Sequence, residues 1–248
     1  RFAIDPHDLL YLPPTMAPCA TSQREDVLEH PEDAFAEYRD AGVREVVCEE
    51  KHMGSRAVVL VRRDGGGVIH TRTGRAFFDP PMGDQLLARV RAEVTRAGLW
   101  DEFDTDWLLF DAELLPWNAK AAGLIKEQYA SVGAAATGAL GVAADVLART
   151  AARGVDVGGL LSRTQGRLAN AIGYRDAYRR YVRPTDGLAG VTLAPFQLLA
   201  ARGRTFHDHD HLWHLDVLGR LGGGTFTPTR RLVVDTADAE QVAAGIRW

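Results

Sequence analysis

The sequence predicts an α+β fold: a twisted antiparallel sheet core with flanking helices and an inserted helical module. Three observations predict it. Short β-branched runs fill the first third, as in Ala57-Val58-Val59-Leu60-Val61 and Val68-Ile69-His70-Thr71-Arg72-Thr73 around the turn Asp64-Gly65-Gly66-Gly67. From Asn118 to about Arg183 the texture changes to Ala, Leu, Arg and Gln, which reads as two to four helices. Strand character resumes over Val191-Thr192-Leu193-Ala194-Pro195-Phe196-Gln197-Leu198-Leu199. The predicted organisation is a first part of the core over 1–117, a helical insert over 118–185 and the continuation of the core over 186–248.

The elements follow in order. Residues 1–24 are Pro-rich, with Tyr11-Leu12-Pro13-Pro14-Thr15-Met16 extended. Pro31 to Ala41 reads as a short helix with an acidic start, ended at Gly42. Val43 to Glu50 is strand-like, and Lys51-His52-Met53-Gly54-Ser55-Arg56 breaks it as a turn. Asp84 to Leu99 carries helical periodicity through Leu86, Leu87, Val90 and Val94. Asp106 to Leu115 is a strand closed by Pro116 and Trp117. His211 to Leu218 and Arg231 to Val234 read as further strands, separated by Gly222-Gly223-Gly224. Ala237 to Ile246 starts a last helix.

Composition narrows the classes. A chain of 248 residues with 46% hydrophobic and 25% charged residues fits a soluble globular protein of one large domain, or a core with an insert. The net charge of −4 excludes a global basic field but leaves a local basic groove open. Cys19 and Cys48 alone fit a reducing, cytoplasmic compartment better than a disulfide scaffold. The reading finds no signal peptide, no apolar run near the roughly 20 residues of a membrane span, and so no membrane partner. The chain begins at Arg1 and reads as a piece of something longer.

Lysine usage is the sharper signal. Of 29 Lys and Arg residues only Lys51, Lys120 and Lys126 are lysines. Arg stays protonated and cannot act as a nucleophile, whereas Lys can be deprotonated. Lys51 stands in Lys51-His52-Met53-Gly54-Ser55-Arg56, between two hydrophobic strands. Gly54 lets backbone approach a phosphate, and Arg56 suits a ribose hydroxyl or a phosphate. A nucleophilic lysine needs a lowered pKa, which a nearby guanidinium and a divalent metal provide. The bland alternative is a surface hairpin with ordinary charges.

Three further pieces follow in order. Arg72-Thr73-Gly74-Arg75 comes first. Trp107-Leu108-Leu109-Phe110-Asp111-Ala112-Glu113 is an apolar strand with two acids, which by alternation share one face and are costly there unless they bind something. Pro195-Phe196-Gln197-Leu198 puts an aromatic on a strand, where it could stack on a base.

The ordered set resembles the covalent nucleotidyltransferase superfamily of DNA ligases, RNA ligases and mRNA capping enzymes. Tyr11 to Met16, Glu49-Glu50-Lys51-His52-Met53-Gly54-Ser55-Arg56-Ala57, the inserted helices and Ala194-Pro195-Phe196-Gln197-Leu198-Leu199-Ala200 are more closely similar to the C-terminal ligase (adenylyltransferase) domain of bacterial polynucleotide kinase-phosphatase. The resemblance implies the twisted antiparallel sheets of the nucleotidyltransferase (ATP-grasp-like ligase) core. It also implies an ATP-dependent RNA ligase active in RNA repair: lysine adenylylation, transfer of AMP to a 5′-phosphate, and sealing by a 3′-hydroxyl. Lys51 would be the nucleophile. Arg56 and Glu113 would contact the AMP ribose, and Phe196 would stack on adenine. Glu49 would accept from the adenine amino group, with Glu50 as rival. Arg75 would make a further phosphate or nucleic-acid contact, and Asp111 has no firm counterpart.

The implied cofactors are ATP and a divalent metal, Mg or Mn, with no metal ligand assigned to a residue. The implied partners are RNA with 5′-phosphate and 3′-hydroxyl ends, kinase and phosphatase domains of the same polypeptide, and an RNA 3′-end methyltransferase. The family's Glu-Gly-x-Val-x-Lys and Lys-x-Lys are missing, and no lysine follows Lys126, so a partial domain is expected. Two rival readings are a non-catalytic nucleic-acid or partner-binding module with this fold, and a capping-type guanylyltransferase.

Two other signals are weighed and set aside. His207, His209, His211 and His214 alternate with Asp208 and Asp210, but a solvated loop leading into a strand explains them as well as a metal site does. Tyr174, Tyr178 and Tyr181 lie at helical spacing among Arg175, Arg179, Arg180 and Arg183; packed tyrosines and solvated arginines are preferred over an RNA-facing stripe.

Overall fold

The computed structural model describes residues 18–27, 29–180, 182–183 and 185–248, with side chains left aside at 120–122. The stretch Tyr11 to Met16 and Tyr181 therefore lie outside the described residues. The fold is α+β, and the chain divides into two compact units. One comprises the residues up to His52, Arg56–Glu113 and Leu193–Trp248; the other comprises Met53–Ser55 and Leu114–Thr192.

The first unit holds two sheets. Its five-stranded sheet runs in the order β3 (Gly67–Thr71), β2 (Ser55–Arg62), β4 (Trp107–Leu115), β5 (Thr192–Ala201), β6 (Arg204–Thr205). β2 and β3 form the expected hairpin, with Val61 opposite Gly67 and Ala57 opposite Thr71. Gly67 has φ +128°, and a Cβ there would meet the Leu60 carbonyl oxygen at 2.2 Å, so the turn needs glycine at that position. Ala57 to Val61 are all buried, so β2 reads as a continuous apolar run covered on both faces. Val58, Leu60, Leu109, Leu199 and Ala200 make a core cluster.

Helix α2 (Pro80–Arg96) buries Leu86, Leu87, Val90 and Val94. It starts four residues before the predicted Asp84, because Pro80 and Pro81 suit the first helical turn and Asp79 caps it by accepting from the Met82 N–H at 3.1 Å. The second sheet pairs β1 (Glu45–Glu49) antiparallel with β7 (Arg231–Asp235), with Glu45 opposite Asp235 and Glu49 opposite Arg231. Helices α1 (Glu32–Asp40) and α8 (Ala239–Arg247) meet it: a Cβ on Gly245 would lie 2.8 Å from the Phe35 ring and 3.0 Å from Val234.

One predicted strand is a helix. His211–Leu218 forms α7, not β-structure. Asp210, read as one of an alternating His/Asp series, is its N-cap and accepts from the Trp213 N–H at 2.7 Å. The side chains buried behind it are His214, Leu215, Val217 and Leu218, which fit a helical face better than period-two alternation.

The second unit is helical: α4 (Asn118–Leu124), a π-helical stretch (Ile125–Ala130), α5 (Ser131–Ala152) and α6 (Gly158–Arg179). The short link between α5 and α6 makes them an antiparallel hairpin. Tyr174 and Tyr178 near the end of α6 lie beside Gly133 at the start of α5, where a Cβ would make ordinary contact with their rings at 3.7–3.8 Å. Asn118 ties the two ends of the insert together. Its amide donates to the Arg183 carbonyl at 2.8 Å and accepts from the Arg183 N–H at 2.9 Å. Among the described residues one helical run, Ile125–Ala152, is long and apolar enough to cross a membrane by length and composition alone. The sequence reading missed this length because small residues fill the run in place of bulky ones.

Candidate active site

Lys51 sits on the short link from β1 to β2, strands that belong to different sheets. The motif is thus a crossing between two sheets and not the turn of a surface hairpin. Glu50 continues the pairing beyond β1, its N–H donating to the Arg230 carbonyl at 2.9 Å. Beside this link, within the first unit, lies a cavity of about 290 Å³ lined by Glu49, Glu50, Lys51, His52, Glu113, Phe196 and Thr229. Four consecutive residues contribute, so strict strand alternation has ended here and both Glu49 and its rival Glu50 face the same space.

Three separate segments therefore converge. Lys51 comes from the link after β1, Glu113 from β4 and Phe196 from β5. Phe196 and Glu113 are half-buried, in contrast to the fully buried Leu198 and Leu114 nearby, which leaves part of each facing the cavity. The Glu49 carboxylate contacts the Nε2 of His211 at the start of α7. The His52 ring lies 3.1 Å from the Thr229 hydroxyl.

Arg56 takes a different place. Its guanidinium bonds Asp111 on β4, with Nε donating to both carboxylate oxygens at 2.9 and 3.1 Å and a further short bond from the terminal nitrogen. Asp111 is wholly buried, so this pair answers the cost of placing an acid on an apolar strand. The bond to Asp111 raises the Arg56 pKa further; burial opposes it, and the charges of Asp111 and Glu113 add to it. Arg56 is not among the residues lining the cavity. Neither is Arg75, which is exposed just after β3, its backbone N–H bonded to the Thr71 hydroxyl at 3.2 Å.

The histidine run is divided among separate tasks. His209 stacks on Trp213 at 3.7 Å between ring centroids, His211 contacts Glu49, and His214 is buried. The Leu198 N–H donates to His214 Nδ1 at 3.2 Å, so that nitrogen carries no proton. Burial holds the His214 pKa below the usual imidazole range, and His211 and His209 add to the effect. Among the described residues no three His, Cys, Asp or Glu side chains converge to hold a metal ion. Glu49, Glu50 and Glu113 are the carboxylates that line the cavity.

Sequence reasoning did not assign roles to His52, Thr229 or His211. His52 lay inside the quoted lysine motif. His211 was weighed only as part of the His/Asp run, and Thr229 carried no local signal; both are brought in from the last part of the chain.

Sheets that bring a lysine, an acid and a half-buried aromatic to one cavity suit the binding of a nucleotide. Over residues 1–248 the chain matches the family described as the PNKP adenylyltransferase domain, ligase domain, and it belongs to that family. No curated protein matches it by sequence. Among solved structures it is similar to a chain of a Pnkp1/Rnl/Hen1 complex, with TM-score 0.61 and 16% identity over 94% of this chain and 66% of that one. A chain of a Pnkp1/Rnl/Hen1 RNA repair complex gives TM-score 0.58 and 16% identity over 96% and 66%. At that identity the likeness is one of fold, and this chain spans about 66% of the length of each.

Proposed function

We propose that this chain is the nucleotidyltransferase part of an ATP-dependent RNA ligase, with Lys51 as nucleophile. The observation that carries the reading is the convergence of Lys51, Glu113 and Phe196 from three segments on one cavity of about 290 Å³. The Lys51 amine nitrogen attacks the α-phosphorus of ATP and gives up its proton as the bond forms. An N–P bond forms, the bond to the bridging oxygen breaks, and pyrophosphate leaves with the electron pair. The AMP then passes to the terminal 5′-phosphate of RNA, and the lysine nitrogen departs. A 3′-hydroxyl attacks that phosphate, AMP leaves, and a phosphodiester remains.

In this reading Phe196 stacks on adenine, Glu113 holds the ribose, and Glu49 or Glu50 accepts from the adenine amino group. Asp111 fixes Arg56 beside Glu113, which makes Arg56 and Asp111 a positioning pair whose guanidinium turns to the ribose when nucleotide enters. A divalent metal bound with the triphosphate would supply charge neutralisation, and no residue is assigned to hold it. RNA ends are the proposed substrate. A kinase-phosphatase polypeptide and an RNA 3′-end methyltransferase are the proposed partners, in keeping with the complexes named above.

The test is covalent labelling. Incubation with ATP labelled at the α-phosphate and a divalent metal, followed by denaturation, should leave acid-labile, base-stable label on the chain. Peptide mapping should place it on Lys51. Label on Lys126 or Lys120 with Lys51 unmodified would refute the assignment.

A further inference from the structure

A second cavity lies wholly within the helical unit. It measures about 400 Å³, and its walls are the rings of Trp117, Tyr129, Tyr174 and Tyr178 with Met53, Gly54 and Ala177 between them. Tyr129 stacks on Tyr174 at 6.0 Å between centroids, and Tyr174 meets Tyr178 edge-on at 5.6 Å. Trp117 closes on Tyr129 at 6.1 Å. These rings do not fill a core. They surround open volume, and Tyr174 is 39% exposed. Packed interiors leave few voids above the size of a water molecule, so an aromatic space of this size stands open to a planar, largely apolar guest.

Charge narrows the guest. Between Leu114 and Thr192 the chain has ten Lys and Arg against five Asp and Glu, although the whole chain carries a net −4. Arg179, Arg180 and Arg183 follow Tyr178 and are exposed. A guest with an aromatic face on an anionic chain meets both features, which is the description of single-stranded nucleic acid. Met53 and Gly54 follow Lys51 by two and three residues, so the cavity wall and the nucleophile share one short run of backbone.

Resting on the ligase reading above, we propose that this cavity takes one unpaired base of the RNA strand, stacked on the tyrosine faces, with arginines at the end of α6 meeting its phosphates. Tyr174 and Tyr178 are then a recognition surface and not only packing.

The experiment compares a single-stranded RNA hexamer of adenylates with the same ribose-phosphate chain lacking bases, so that phosphate number is constant. Alanine removal of a stacking ring costs about 1–3 kcal/mol, a loss of about 5- to 150-fold in hexamer affinity. Tyr174→Ala and Tyr129→Ala should show that loss and leave the abasic chain's binding unchanged. Tyr174→Phe should bind as the unaltered protein does. A 2-aminopurine base in the hexamer should be quenched on binding, and less so in Tyr174→Ala. Unchanged hexamer affinity in a folded Tyr174→Ala would overturn the proposal and point to a protein side chain as guest. Equal loss in Tyr174→Phe would overturn it too, since the hydroxyl and not the face would matter. Labelling of Lys51 in the unaltered chain without RNA tests the ligase reading separately, so the two failures are distinguishable.

Discussion

Arg56 on β2 donates from Nε to both carboxylate oxygens of Asp111 on the adjacent strand β4, at 2.9 and 3.1 Å. Two residues further along β4, Glu113 faces the cavity that Lys51 and Phe196 also line. The two acids of one strand thus have separate tasks, and variants should separate them. Asp111→Ala leaves a largely buried guanidinium without its acid, a loss of about 3 kcal/mol at the lower end for a broken buried pair. Urea unfolding should show it, and labelling by ATP should fall through misplacement of Arg56. Glu113→Ala should lose labelling more severely while unfolding at nearly the same urea concentration. The reverse pattern, a stable Asp111→Ala and an unstable Glu113→Ala, would exchange the two assignments.

Lys51→Arg keeps the positive charge and removes the nucleophile. It should carry no AMP at any time of incubation while ATP still docks through its nucleoside half. Intact mass after long incubation is the readout, and an added AMP in this variant would move the chemistry elsewhere.

Phe196 is half-buried on β5 and lines the cavity. Stacking on adenine should contribute about 1–3 kcal/mol, so Phe196→Ala should weaken ATP binding by about 5- to 150-fold. Phe196→Tyr and Phe196→Trp should retain most of the affinity in a calorimetric titration. Equal ATP affinity in a folded Phe196→Ala would make this a core phenylalanine.

His214 gives the fold a pH dependence. It is buried and accepts from the Leu198 N–H, and its pKa is held below the free value. Above about pH 6.5 both folded and unfolded chains carry the neutral ring, and no penalty arises. As pH falls through that value the unfolded state binds a proton first, so stability declines until the folded ring also titrates. Asparagine places an oxygen where Nδ1 lies and does not titrate. His214→Asn should therefore lose less stability between pH 7 and pH 5 than the unaltered chain. Identical declines would remove His214 as the cause.

Much of this was legible in the sequence for physical reasons. The hairpin of β2 and β3 was plain because β-branched runs flank a Gly-rich turn. Lys51 stood out because the chain uses arginine for nearly all its cations, and Phe196 because it puts an aromatic on a strand. The helical hairpin was plain in composition, though not its aromatic cavity, which needs Trp117 and Tyr129 brought to α6 from more than forty residues away in sequence. Asp111 could be recognised as costly but not as the partner of Arg56, because that pair spans 55 positions. The α7 helix was misread because His and Asp alternate just where a helix begins. There the aspartate is a cap, and capping follows the chain's local bend and not the period of its side chains.

The pairing of β1 with β7 joins Glu45–Glu49 to Arg231–Asp235, strands separated by most of the chain. Closing so long a loop comes late and slowly in folding, since chain entropy is lost before the contacts reward it. During synthesis the five-stranded sheet and the helical hairpin have all their residues available before Arg231 leaves the ribosome. The strand that leads into Lys51 does not have its partner until then. A chain extended only as far as Thr229 would therefore hold the residues of the five-stranded sheet and of the helical hairpin while the strand that leads into Lys51 still lacks its partner.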